Sequence, residues 1–108
     1  MCVELIKITV PKDKAYLIDE QVKQFADTVG RMTTLYAKKN HDYGDSFNKG
    51  MDNIGMSYGV GRLYDKINRI ITLSKVKAEV NDESIQDTLL DLACYAVMTY
   101  NFIIGKTK

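Results

Sequence analysis

The chain lacks most of the features that announce a chemistry directly. No apolar run approaches the roughly 20 residues that a bilayer-spanning helix needs, and no signal-peptide-like apolar segment opens the chain. The expectation is a cytoplasmic protein with no membrane partner. There is one histidine, His41, and the two cysteines, Cys2 and Cys94, are far apart. Without paired thiols or a second imidazole, a zinc site is not expected. One cysteine is terminal and one sits in an apolar helical pattern, which reads as free thiols in a reducing compartment. No serine or cysteine nucleophile has a histidine base in view. Fifteen basic residues against fourteen acidic ones leave a formal charge of +1. That predicts no strong general nucleic-acid binding, so any basic site must be local.

What is present is an ordinary globular composition, 45% hydrophobic and 27% charged, in 108 residues. This reads as one small domain with a single core. Residues 1–12 contain the alternating run Val3-Glu4-Leu5-Ile6-Lys7-Ile8-Thr9-Val10, a short strand or extended arm that Pro11 ends. A lone strand has no partner in this sequence, so pairing with another copy of the chain is one use for it. Over 13–40, Ile18, Val22, Phe25, Val29, Met32 and Tyr36 fall on one narrow face of a long helix that Gly30 weakens without ending. Asp13 is the candidate cap of that helix, and Asp19, Lys23, Asp27 and Thr34 form its solvated face. Residues 41–52 carry Gly, Asn and Asp in turn-like patterns and read as a loop. Its aromatics Tyr43 and Phe47 have two uses, anchoring the loop to the core or stacking on a ligand. Gly55, Gly59 and Gly61 are not a phosphate loop, because no strand precedes them and no Gly-Lys-Ser/Thr follows; small residues at this spacing permit close helix packing.

Two further helices follow, over 53–78 and 82–104, with Asn81 or Asp82 as the cap of the second. In the first, Leu63, Ile67, Ile70 and Ile71 make the core face, and Arg62, Asp65, Lys66 and Arg69 an adjacent charged stripe. In the second, Ile85, Leu89, Leu92, Ala93, Ala96, Tyr100 and Ile103 recur at helical spacing, beside an acidic stripe of Glu83, Asp87 and Asp91. Both stripes turn apolar further along, into Leu73 and Val76 on one helix and Cys94 and Met98 on the other. Like charges four apart each cost a helix about 0.2–0.5 kcal/mol. The helix dipole offsets that only in the first turn, so Asp91 needs a positive partner elsewhere. The short connection at 79–81 makes the two helices antiparallel neighbours and brings the stripes face to face. The fold class is therefore all-α, a small bundle of three to four helices.

Two readings of these stripes compete. In one, Arg62, Lys66 and Arg69 simply pair with Glu83, Asp87 and Asp91 inside a structural bundle. In the other, Glu83, Asp87 and Asp91 hold Mg²⁺, a hard cation commonly shared between carboxylates and substrate phosphates. Arg62, Lys66, Arg69 and Lys39 then bind phosphate oxygens, with Tyr43, Phe47 or Tyr95 stacking on a base. Clustered partly buried charges are costly unless their geometry is very good, which favours a use for them.

Three segments in order carry a resemblance: Lys39-Asn40-His41-Asp42-Tyr43-Gly44-Asp45-Ser46-Phe47, Arg62-Leu63-Tyr64-Asp65-Lys66-Ile67-Asn68-Arg69, and Asp82 through Ala96. Over roughly residues 35–100 the chain resembles the family called nucleotide modification associated domain 1, small proteins of bacteriophages and Gram-positive bacteria. Where many relatives read Leu-Ala-Asn-Tyr, this chain has Leu92-Ala93-Cys94-Tyr95. The resemblance implies nucleotide metabolism. The candidate nucleotide and phosphate contacts are Lys39, Asp42, Tyr43, Phe47, Arg62, Lys66, Arg69 and Tyr95. A looser resemblance is to the all-α, MazG-like nucleoside triphosphate pyrophosphohydrolases, which hold Mg²⁺ between acidic helices. Their paired Glu-x-x-Glu and Glu-x-x-Asp motifs are not reproduced here. The expectations are a Mg²⁺-dependent pyrophosphohydrolase, a non-catalytic nucleotide binder that sequesters a signal or regulates a pool, or a structural interaction bundle. The nucleotide-binding bundle is expected to be a homo-oligomer.

Overall fold

The computed structural model describes residues 19–76 and 84–106. The expected extended arm over 1–12, the Asp13 cap and the candidate caps Asn81 and Asp82 lie outside them. Among the described residues every regular element is an α-helix: α1 Glu20–Tyr43, α2 Ser46–Ile54, α3 Met56–Lys75 and α4 Ile85–Lys106. The all-α expectation holds. The chain divides into two compact units, Met1–Tyr43 and Gly44–Lys108.

In the first unit α1 starts at Glu20. Its N-cap is Asp19, whose Oδ1 accepts the Val22 N–H at 2.9 Å. Asp19 therefore has a structural role that its placement on a solvated face does not suggest. Gly30 lies inside α1 without breaking it, as expected. The helix also runs on past Asn40 to Tyr43, because the first left-handed backbone comes only at Gly44 and Asp45, both at φ 60°.

The second unit opens with a correction. Residues 41–52, expected as a loop, include most of α2. Phe47 and Met51 lie one turn apart on α2, and both are buried. Gly55 alone separates α2 from α3. Its φ of 97° is a conformation that strongly favours glycine, and its N–H donates to Met51 O at 2.9 Å to close α2. The expected helix over 53–78 is thus interrupted at Gly55 and restarts at Met56.

Helices α3 and α4 pack as the expected antiparallel hairpin. Gly59 faces Thr99, Arg62 meets Tyr95 and Lys66 meets Asp91, so each step forward on α3 is a step back on α4. Gly59 permits this approach: a Cβ there would lie 3.1 Å from Met51 Sδ and 3.2 Å from Thr99 Oγ1. The two threonines in the seam satisfy themselves locally. Thr88 and Thr99, both buried, donate to the carbonyls of Ser84 and Tyr95 one turn earlier, at 2.9 and 2.7 Å. The expected core face of α3 needs amending, since Ile67 and Ile71 are 45% and 46% exposed. Helical periodicity marks an apolar face but not what covers it. Contrary to the expectation that no apolar run approaches a bilayer span, Ile85–Gly105 of α4 is long and apolar enough to cross a membrane by length and composition alone.

Candidate functional site

The site is built outward from Phe47. Its ring, anchored by α2, lies 5.7 Å from the Tyr58 ring and 5.9 Å from the Tyr95 ring, both tilted. These are favourable aromatic separations, and they fix Tyr95 against the core. Tyr58 in turn lies over Gly50, where a Cβ would come within 2.6 Å of its ring. Of the two uses weighed for Phe47, its burial is that of an anchor.

Tyr95 then positions Arg62. The Arg62 Nη2 donates to Tyr95 Oη at 3.2 Å, and the guanidinium carbon lies 5.2 Å from the ring centroid. The hydrogen bond raises the Arg62 pKa above its ordinary value, against the lowering effect of burial. The Arg62 Nε is buried and makes no hydrogen bond among the described residues. One turn along α3, Lys66 Nζ lies 3.3 Å from Asp91 Oδ2, and the two side chains are only 18% and 17% exposed. This pair supplies the positive partner that Asp91 requires. Arg69 continues the row on α3, half-buried, while Asp65 lies exposed.

The acidic residues divide. Asp87 sits at the start of α4 and forms a capping box with Ser84. Its Oδ2 accepts the Ser84 N–H at 3.3 Å and the Ser84 hydroxyl at 3.0 Å, while the Asp87 N–H donates to Ser84 Oγ at 3.1 Å. Asp91 meets Lys66 a turn later. Glu83, the third candidate metal ligand, lies outside the described residues. Among the described residues no group of three or more His, Cys, Asp or Glu side chains comes together to hold a metal. The two aspartates there, one capping a helix and one beside an ammonium, do not by themselves fit a Mg²⁺ site.

The structure thus brings together Phe47, Arg62, Lys66, Tyr95 and Asp91 in the second unit. Lys39, Asp42 and Tyr43 belong to the last turns of α1 in the first unit. There Asp42 Oδ1 lies 3.3 Å from His41 Nδ1, and Tyr43 is exposed. Tyr58, Gly50 and Ser84 join the site without standing out in the sequence reading. For Ser84 a signal exists, as Ser84-Ile85-Gln86-Asp87 has the capping-box spacing.

Fold and site together define a class: a small all-α protein with a helical hairpin whose facing sides carry paired charges and an aromatic-held arginine. The family description nucleotide modification associated domain 1 matches residues 39–101. The chain belongs to that family. No curated protein and no solved structure matches the chain.

Proposed function

We propose that this protein binds a nucleotide through its phosphates on the charged side of the α3–α4 hairpin, acting in nucleotide metabolism of the kind its family's name describes. The observation that carries the reading is Arg62. Its guanidinium is held by a neutral phenol, Tyr95, and its buried Nε makes no hydrogen bond among the described residues. A buried donor left unmade is costly, and a phosphate oxygen would satisfy both the charge and the geometry. Lys66 would contribute by exchanging part of its contact with Asp91 for phosphate. Non-catalytic binding is favoured over Mg²⁺-dependent pyrophosphohydrolysis, because Asp87 is engaged with Ser84 and Asp91 with Lys66.

The test is native mass spectrometry and calorimetry with canonical and modified dNTPs and NTPs, with and without Mg²⁺. The expected result is a bound, unhydrolysed nucleotide whose affinity drops about tenfold or more in Arg62→Gln, the scale of a lost charge-assisted hydrogen bond. Turnover that requires Mg²⁺ and disappears in Asp91→Asn would replace the binder with the hydrolase. No binding of any nucleotide under either condition would leave the paired charges as purely structural.

A further inference from the structure

Gly50 of α2 lies against the Tyr58 ring of α3 with no room for a side chain. A Cβ there would come within 2.6 Å of two ring carbons and 2.9 Å of a third, where ordinary contact begins at 3.4 Å. Three atoms of one rigid ring are involved, so a methyl group enters only if Tyr58 or α2 itself gives way. Both are tied to Arg62. Tyr58 precedes Arg62 by one turn of α3, and residues four apart are neighbours on a helix surface. Phe47 shares the Gly50 face of α2, three residues earlier, and its ring meets Tyr58 at 5.7 Å and Tyr95 at 5.9 Å. Tyr95 in turn holds the Arg62 guanidinium, through its hydroxyl and its ring. Helix α2 is nine residues long, with positive-φ backbone at Gly44 and Asp45 before it and at Gly55 after it. Its seat on the hairpin is therefore set by these side-chain contacts and not by continuity with a neighbouring helix.

We propose that Gly50, Tyr58 and Phe47 are positioning residues for Arg62: the seat of α2, allowed by the missing side chain at Gly50, fixes where the guanidinium lies. Two routes carry the effect, one through Phe47 and Tyr95 and one through Tyr58 directly. The positioning stands on the contacts alone, whereas its consequence for ligand rests on the phosphate reading of Arg62. A guanidinium meets phosphate oxygens through a planar fork, so a displaced fork loses part of its charge-assisted bonding. The coupling also runs the other way. A phosphate that binds best to the seated guanidinium must tighten α2 on the hairpin by the same factor.

The arginine side chains themselves report the outcome. The chain has three, Arg31, Arg62 and Arg69, and each gives an Nε–H signal in the ¹H–¹⁵N spectrum of the full chain. The Arg62 signal is assigned by its loss in Arg62→Lys. The Nε atoms of Arg62 and Arg69 are both buried on α3, so Arg69 registers any general loosening of the hairpin. In Gly50→Ala the Arg62 Nε–H is expected to shift and to exchange with solvent about tenfold faster or more, with Arg69 unchanged. A folded Gly50→Ala with an unaltered Arg62 signal overturns the proposal, and so does equal acceleration at Arg62 and Arg69. Gly61→Ala, whose Cβ meets nothing within 4 Å, should leave both signals in place, and an equal effect there also overturns it. If Gly50→Ala does not fold, Phe47→Leu decides, because it keeps an aliphatic group in the core and removes the ring between Tyr58 and Tyr95. The same selective change at Arg62 supports the proposal, and none overturns it. Calorimetry with ATP then separates positioning from the phosphate reading. An affinity that falls in Gly50→Ala about as far as in Arg62→Gln supports both. An affinity that falls only in Arg62→Gln overturns the role of α2 in binding. A selective change at Arg62 in a chain with no affinity for ATP supports the positioning and removes the phosphate reading.

Discussion

The two sides of the α3–α4 hairpin solve opposite problems. On the α2 side, polar and charged groups are drawn inward and most meet a partner: Lys66 has Asp91, Arg62 Nη2 has Tyr95, and the buried threonines have carbonyls of their own helix, while the buried Arg62 Nε makes no hydrogen bond among the described residues. On the other side Val60, Tyr64, Ile67 and Ile71 of α3 and Leu89, Tyr100 and Ile103 of α4 offer almost nothing to pair and are each more than 40% exposed. One side is specific and the other merely apolar. The side chains that distinguish this protein from a generic amphipathic hairpin are therefore concentrated under α2, where steric tolerance is smallest. Gly59 is the sharpest test of that difference. Met51, which its Cβ would meet at 3.1 Å, is only 2% exposed and has nowhere to go. Gly59→Leu is expected to destabilise the protein by about 3 kcal/mol, the upper end of overpacking costs, read as a shift in the urea midpoint. At Gly61, two residues on, an added Cβ would meet nothing within 4 Å. Gly61→Leu should cost far less, and equal losses at the two sites would erase the distinction.

The Lys66–Asp91 pair comes next in size. Both side chains are mostly withdrawn from water, so removing one leaves the other charge poorly solvated. Lys66→Met is expected to cost about 2 kcal/mol, below the full buried-pair figure because each member retains some exposure. The double variant Lys66→Met with Asp91→Leu should recover most of that loss, since an apolar pair of similar volume removes both desolvation penalties. A denaturant series on the two singles and the double measures the coupling directly. Additive losses, with no recovery in the double, would mean that the two charges do not act as a pair.

Much of this side is legible in the sequence, and what escapes has physical reasons. The spacing of Ile85, Leu89, Leu92 and Ala96 marks α4 as a helix, and the like charges at 87 and 91 demand a positive partner. Lys66 is among the basic residues that the stripes offer to meet them. Helix α2 is hidden because Phe47 and Met51 are one turn apart but flanked by Gly44, Gly50 and Gly55, whose turn signals outweigh so short an apolar repeat. The charge of Arg62 suggests phosphate; that Tyr95 holds it is a matter of register between α3 and α4, which no local pattern encodes. Periodicity places Ile67 and Ile71 in the core because it identifies a greasy face without saying whether another layer exists to cover it. Asp87 reads as part of a stripe, when the nearer fact is its position three residues after Ser84.

That position gives the smallest and cleanest of the expected effects. Ser84 and Asp87 satisfy two backbone N–H groups at the start of α4 reciprocally, Ser84 through its own N–H to Asp87 Oδ2 and Asp87 through its N–H to Ser84 Oγ. Without the hydroxyl, the Asp87 N–H returns to solvent and the Asp87 carboxylate keeps only one of its two contacts with Ser84. Ser84→Ala is expected to cost about 1 kcal/mol, and Ser84→Gly less, in keeping with N-cap substitutions elsewhere. The loss should appear in thermal melts and as faster hydrogen exchange confined to the first turn of α4. Because Asp87 is occupied by this cap, the same substitution also bears on the acidic stripe. If Ser84→Ala frees Asp87 to act beside Asp91, the proposed nucleotide binding should depend more strongly on Mg²⁺ in the variant than in the unaltered chain. If the two respond to Mg²⁺ alike, Asp87 is a helix cap and nothing more.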